Sequence, residues 1–161
     1  MATVAAASKI VKVSMAGIDY AKHPDKLETL LGSCIEIAIW DRSTGIGALA
    51  HVVLAESRGE TKSPGKFADT AVDAMLAELK VRGAMRVSLK AKLAGGSKMF
   101  GCQTPQDVGR RNYEAVLAEL QKENIPVEAE HVGGSQGRVI CFSPRDGSMI
   151  VKMGGKIVAE I

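Results

Sequence analysis

The sequence has no run of about eighteen uncharged apolar residues, so no segment is built to cross a membrane as a helix. Residues 1–8 form an Ala-rich start without the charged, apolar and cleavage regions of a signal peptide, and are read as a flexible arm. The expectation is a soluble, cytoplasmic protein. Aromatic residues are scarce at 4%, one Trp, two Tyr and three Phe. The core must therefore be aliphatic, and the scarcity argues against a stacked-aromatic surface for single-stranded nucleic acid. Neither sign of charge dominates: 21 Lys and Arg face 18 Asp and Glu, a net +3, too mild for a nucleic-acid footprint. Cys34, Cys102 and Cys141 are odd in number and show no C-x-x-C spacing, which argues against both a disulfide framework and a zinc site. A reducing compartment fits best. Neither G-x-x-x-x-G-K-[ST] nor G-x-G-x-x-G occurs, so the glycine pairs at 95–96, 133–134 and 154–155 do not signal a nucleotide site.

What is present suits one globular domain over residues 9–161. The chain has 161 residues, 46% apolar and 24% charged, enough to bury a core without staples. With no long exposed apolar run evident, a monomer is the default. Residues 9–15 carry a β-branched run that reads as a first strand. Period-two alternation is clearest at Cys34–Asp41, where Ile35, Ile37 and Ile39 share one face. Turn residues 41–45 and an apolar run over 46–54 complete a β-hairpin. Residues 56–65 read as an exposed loop. Phe67, Ala71, Met75 and Leu79, with Ala68, Val72 and Leu76, mark a helix that stops at Gly83. Residues 85–93 alternate as a strand that runs into Gly95 and Gly96. Asp107 is placed to cap a second helix to about Asn124, burying Val108, Ala115, Val116 and Leu120. Four strand-like segments follow, at 127–132, 138–142, 149–153 and 156–161. Two helices among seven or eight strands make a sheet-rich α/β sandwich.

Gly32-Ser33-Cys34 stands at the mouth of the clearest strand, where a tight turn can hold a thiol beside backbone N–H groups able to form an oxyanion hole. His51 lies on the other arm of the hairpin. A two-residue turn puts Cys34 and His51 directly opposite, about 4.5–5.5 Å between Cβ atoms. A four-residue turn, Arg42 to Gly45, leaves them diagonal on one face, roughly 7–8 Å apart by the same rule. A three-residue turn separates them onto opposite faces. A neighbouring imidazole would stabilise the thiolate and protonate a leaving group. Spacing alone leaves open the plainer reading of a small buried hydrophobe and a satisfied core histidine. Cys102 and Cys141 read as inert packing. His23 and His131 read as surface positions rather than ligands, and Arg110-Arg111 as a solvated face or a hold for an acidic partner.

Six segments in order resemble the CheD family of chemoreceptor glutamine deamidases: residues 29–34 (TLLGSC), 47–52 (GALAHV), 66–71 (KFADTA), 92–100 (KLAGGSKMF), 108–112 (VGRRN) and 132–134 (VGG). The resemblance covers nearly the whole chain. It implies an α/β/β sandwich similar to the catalytic domains of deamidating toxins, with a Cys-His-Thr triad. Carried over, Cys34 is the nucleophile, His51 the general base and acid, and Thr29 the residue that orients the imidazole. The stretch from the threonine to Gly-Ser-Cys is one residue shorter here than in some relatives, and counted without a gap the third position falls on Glu28. Thr29–Leu31 reads as extended, although residues 23–32 also scan as a short helix. The remaining motif positions, Ser33, Gly95, Gly96, Ser97, Met99, Phe100 and Asn112, are expected to shape the substrate cleft. The implied substrate is a glutamine on the helical signalling region of a methyl-accepting chemotaxis receptor, converted to glutamate without metal or organic cofactor. The same route could hydrolyse receptor methyl esters. The competing implication is an adaptor that binds receptors and a CheC-type phosphatase of the response regulator. A thiol amidase for small molecules is a third reading.

Overall fold

The computed structural model describes residues 7–98 and 107–161. Ten strands form two five-stranded sheets. Strands β1 (Ile10–Lys12), β2 (Ile18–Lys22), β3 (Lys26–Leu31), β4 (Ile35–Asp41) and β5 (Ile46–Val52) come first, before helix α1 (Ala68–Val81). Then follow β6 (Leu89–Gly95), helix α2 (Val108–Lys122), β7 (Val127–Val132), β8 (Arg138–Phe142), β9 (Met149–Met153) and β10 (Lys156–Glu160). The central sheet has the order β2-β5-β4-β6-β7 and the outer sheet β1-β3-β8-β9-β10. Most pairings are antiparallel; β6 and β7 run parallel, as strands joined by a crossover helix must.

Both helices pack on one face of the central sheet and the outer sheet covers the other, giving three layers. Ile35, Ile37 and Ile39 turn toward the helices and join Met75, Leu79, Val116 and Leu120 in one core. Each of these isoleucines is fully buried, worth about 1.5–3 kcal/mol apiece. The opposite face of β4 enters a second core: Ala38 and Trp40 meet Leu27, Leu31, Ile140 and Phe142 between the sheets. A central strand buried on both faces explains why all seven residues of β4 and all seven of β5 are buried. The expected sheet-rich α/β/β sandwich is the observed one.

The hairpin closes through the four-residue turn Arg42–Gly45, with Asp41 paired to Ile46. Asp41 dictates that turn. Its buried carboxylate accepts from the Ser43 amide at 2.9 Å, the Ser43 hydroxyl at 2.6 Å, the Thr44 hydroxyl at 2.9 Å and the Met85 amide at 2.8 Å. Burial alone would raise its pKa, but these hydrogen bonds together hold the carboxyl below its ordinary value.

Several local expectations shift. The strand expected from Met85 begins at Leu89, because Asp41 ties down the Met85 amide and Arg86–Ser88 make a short 3-10 turn. Val87, on the expected inward face, is 92% exposed. Thr29–Leu31 are extended as read, and the short helix that residues 23–32 also allowed does not form, since β3 pairs with both β1 and β8 and turns Leu27, Thr29 and Leu31 inward. Strand β2 has no strong pattern in the sequence and forms by pairing with β5. Helix α2 is capped as expected, the Asp107 carboxylate accepting the Arg110 amide. It buries Gly109 and Asn112 along with Val116 and Leu120, however, and leaves Val108 exposed. Of the arm expected over residues 1–8, positions 1–6 lie outside the described residues. No helix among the described residues is long and apolar enough to cross a membrane.

Candidate active site

Cys34 sits just before β4 and His51 near the end of β5. The ladder pairs Glu36 with His51 and Ile35 with Val52, so Cys34 and His51 are diagonal neighbours on one face of the central sheet. This is the arrangement expected of the four-residue turn. Both residues are buried, Cys34 at 9% exposure and His51 at 4%. Their shared face is the one turned toward the outer sheet.

Thr29 reaches this face from the outer sheet. Its hydroxyl lies 2.9 Å from Val13 O and 2.9 Å from Nδ1 of His51. A hydroxyl has one proton, and a carbonyl can only accept, so the proton goes to Val13 O and the Thr29 oxygen accepts from Nδ1–H. That fixes the imidazole tautomer and leaves Nε2 as a lone pair. Nε2 is buried and has no hydrogen-bond partner within the protein. The histidine backbone is held from both sides, His51 N–H donating to Gly17 O and Ala16 N–H donating to His51 O. Glu28, the alternative third member, points away from the interlayer, on the opposite side of β3 from Thr29.

Burial pushes the Cys34 thiol above its ordinary pKa, with its own backbone amide pulling the other way by less. Burial also lowers the pKa of His51. The free protein therefore holds a neutral thiol beside a neutral imidazole with its basic nitrogen free.

The expected cleft residues are distributed unevenly around this pair. Gly95 approaches so closely that a Cβ there would lie 2.2 Å from Cys34 O, and its φ is +106°. Only glycine fits. The Gly96 amide donates to Cys34 O at 2.9 Å and the Ser97 amide to Gly32 O at 3.1 Å, so both brace the Gly32–Cys34 turn. Gly109 of α2 is pressed against Gly96, where an added Cβ would fall 2.5 Å from Gly96 O. Asn112 is buried and donates through Nδ2 to Val53 O at 2.9 Å, pinning the chain two residues beyond His51. Ser33 is half-buried in the turn itself. Met99, Phe100 and Cys102 lie outside the described residues.

Two residues were missed by sequence reasoning. Arg138, 2% exposed, donates to Ser97 Oγ at 2.9 Å, to His131 O at 2.5 Å and to Gly133 O, with His131 Nδ1 2.8 Å from Nη1. It ties the Gly96–Lys98 turn to the segment 131–134, and makes His131 a structural partner rather than a plain surface residue. Glu36 is fully buried on the Cys34 face, and neither carboxyl oxygen has a partner within the protein. The signal was the alternation itself: Cys34, Glu36, Ala38 and Trp40 share a face, and a sandwich buries both faces of its central sheet. Cys141 lies half-buried on β8 and burial raises its thiol pKa, as expected of an unreactive cysteine. Arg110 is exposed and pairs with Glu114. An open cleft of about 500 Å³ lies off the end of β5, lined in part by Leu54, Phe67, Arg111 and Asn112, with Cys34 and His51 outside its wall. Among the described residues no three of His, Cys, Asp and Glu converge to hold a metal ion.

Fold and site together describe an α/β/β protein with a buried thiol, an imidazole of fixed tautomer and a threonine that fixes it. Comparison with known proteins then supplies the lineage. The family model described as CheD chemotactic sensory transduction matches residues 53–153. A Methanococcus vannielii protein named "Probable chemoreceptor glutamine deamidase CheD" is 45% identical over 150 residues, 92% of this chain and 97% of that one. A Clostridium kluyveri protein of the same name is 38% identical over 159 residues, 95% of this chain and 98% of the other. The chain belongs to the CheD family. A solved Neisseria meningitidis protein of the family DUF152 superposes with a TM-score of 0.45 at 12% identity, over 80% of this chain and 62% of that one, too slight a likeness to bear on the site.

Proposed function

We propose that the protein is a protein-glutamine deamidase that acts on chemotaxis receptors through a Cys34 thioester. The observation that carries this is the contact between Thr29 Oγ1 and His51 Nδ1, which leaves Nε2 free as a base on the face it shares with Cys34. The names of the relatives supply the substrate class.

In this reading His51 Nε2 takes the Cys34 proton as Sγ attacks the glutamine side-chain carbonyl carbon. Backbone N–H groups of the Gly32–Cys34 turn hold the oxyanion. The C–N bond breaks as His51 returns the proton to nitrogen, and ammonia leaves a thioester behind. Water, deprotonated by His51, attacks that thioester; the C–S bond breaks and the thiolate recovers its proton from the imidazolium. The sum is glutamine plus water giving glutamate plus ammonia. Thr29 keeps the imidazole in the productive tautomer throughout. Ser33, Gly95, Gly96 and Ser97 shape the approach to Cys34, and Asn112 braces the chain beyond His51. A methyl ester can follow the same path with methanol as the leaving group. The enzyme works as a cytoplasmic monomer, with a CheC-type phosphatase as a further partner.

The test is peptide mass spectrometry of a receptor signalling domain after incubation with wild-type protein and with Cys34→Ala. Conversion of specific glutamines by wild type alone supports the reading. A receptor left unchanged by both, yet bound by both, would replace it with the adaptor reading.

A further inference from the structure

Glu36 is the one carboxylate buried in the interlayer among the described residues, and no interaction within the protein accounts for it. It is 0% exposed, and both of its oxygens lack hydrogen-bond partners. It is also placed at the site by two independent features of the fold. Along β4 it follows Cys34 by two residues, so the two side chains leave the strand on the same face. Across the ladder it is the direct partner of His51, with Cβ atoms about 4.5–5.5 Å apart in such pairs.

The other groups facing this space leave Glu36 uncompensated. From β6, Ala94 is its direct neighbour, and Lys92, one ladder step on, is committed through Nζ to Gly147 O at 2.6 Å. From the outer sheet come Leu27, Thr29 and Leu31 of β3, Arg138, Ile140 and Phe142 of β8, and Met149 and Val151 of β9. The Arg138 Nη atoms bond Ser97, His131 and Gly133, and its buried Nε–H, which has no partner within the protein, does not reach Glu36. From β7, His131 stands beside Ala94 and bonds Arg138, and from β2 comes half-buried Asp19. The titratable and charged groups of the interlayer face are thus Cys34, His51, Lys92, Arg138, His131 and Asp19, and none makes an ion pair or hydrogen bond with Glu36. A buried carboxylate without a counter-charge is costly and is favoured in its neutral, protonated form.

We propose that Glu36 is a positioning residue for the Cys34–His51 pair: as a neutral acid it leaves the thiol free to ionise, and once ionised it holds the proton on Cys34. The proposal rests on the reading of Cys34 as the nucleophile. The electrostatic sign is simple. A negative charge close to a thiol in a space of low dielectric disfavours the thiolate, whereas a neutral acid of the same shape does not. Burial raises the Glu36 carboxyl well above its ordinary range. The two ionisations are then coupled, each opposing the other.

The experiment is the pH dependence of Cys34 alkylation by iodoacetamide in the full chain, wild type against Glu36→Gln, with alkylation sites read by mass spectrometry. Glutamine keeps the shape of the neutral acid and cannot ionise. Thiolate formation is expected at lower pH in Glu36→Gln, by about half a unit or more, which is roughly a threefold faster alkylation near pH 8. Superimposed profiles, or a shift to higher pH, would overturn the proposal. Should the variant fail to fold, wild-type protein labelled with [13C]glutamate decides the matter. The 13C shift of the Glu36 carboxyl is expected to show it ionising at higher pH than the exposed glutamates and before Cys34 is fully thiolate. A carboxyl that ionises together with the exposed glutamates, or is still protonated once the thiolate is complete, overturns it. Neither readout uses a receptor, so failure here is distinct from failure of the deamidase reading, which the receptor assay decides by itself.

Discussion

The Thr29 hydroxyl, on the outer sheet, lies 2.9 Å from Nδ1 of His51, on the central sheet, and donates its own hydrogen bond to Val13 O. Unlike a carboxylate in the same place, it brings no charge to a developing imidazolium. What it supplies is orientation and tautomer.

Replacing Thr29 with Val keeps the volume and strands a buried Nδ1–H, a cost of about 1–3 kcal/mol. Receptor deamidation by Thr29→Val is expected to fall about 10- to 100-fold in kcat with little change in receptor binding, and Thr29→Ser is expected to recover most of it. Glu28→Ala should behave as wild type in the same assay. Equal loss in Glu28→Ala and Thr29→Val would remove Thr29 from its role.

Asp41 ties the hairpin turn to the Met85 segment, so its removal should be felt in stability. Asp41→Ala strands the donors at Ser43, Thr44 and Met85 and is expected to cost about 2–4 kcal/mol in urea unfolding at pH 7. The folded-state pKa of Asp41 is depressed below 3.8. Its contribution is therefore fully present above the unfolded-state pKa and is lost as pH falls through the folded one. Unfolding from pH 7 to pH 2 should show the gap between wild type and Asp41→Asn closing below about pH 4. A gap that stays constant with pH would mean that the carboxylate charge plays no part.

Gly95 has a left-handed φ of +106° and no room for a Cβ against Cys34 O. Gly95→Ala combines backbone strain with overpacking and is expected to lose at least about 2 kcal/mol in urea unfolding. Because the displaced atom belongs to Cys34, the alkylation rate of the thiol should change as well. Gly155→Ala, also at positive φ but in open space, is the control for strain without the clash.

Arg138 holds Ser97, His131 and Gly133 at once, through the planar fork of its guanidinium. Lysine carries the charge without that geometry. Arg138→Lys is thus expected to lower the Tm nearly as far as Arg138→Met. Hydrogen exchange should rise at the Lys98 and Gly133 amides, which bond across this junction. A lysine variant as stable as wild type would show that charge alone suffices.

Much of this fold was legible because the central strands carry strong patterns. The isoleucines of β4 announced one face, the turn residues after Asp41 announced the hairpin, and Asp107 announced the start of α2. Three hairpin registers were open in the sequence, and the observed four-residue turn is one of the two that put Cys34 and His51 on one face. Less legible were features that depend on a distant partner. β2 owes its form to β5, and the residues ahead of β6 are turned by Asp41, 44 positions away. Thr29 and Glu28 could not be told apart by counting, because only the pairing of β3 with β8 decides which of them faces inward. Arg138 and Glu36 look like ordinary charged strand residues until both faces of the sandwich are known to be covered.

The three proposed catalytic side chains are divided between layers: the thiol and the imidazole belong to the central sheet, the hydroxyl to the outer one. Either sheet could therefore keep all its strands and ladders while the site itself ceased to exist. A molten state, in which secondary structure survives and the packing between layers loosens, would look intact by far-ultraviolet circular dichroism and be inert as an enzyme. Catalytic competence in this protein is a property of how two sheets touch, and activity should disappear with the near-ultraviolet signal of Trp40, which is packed between them, rather than with the strands.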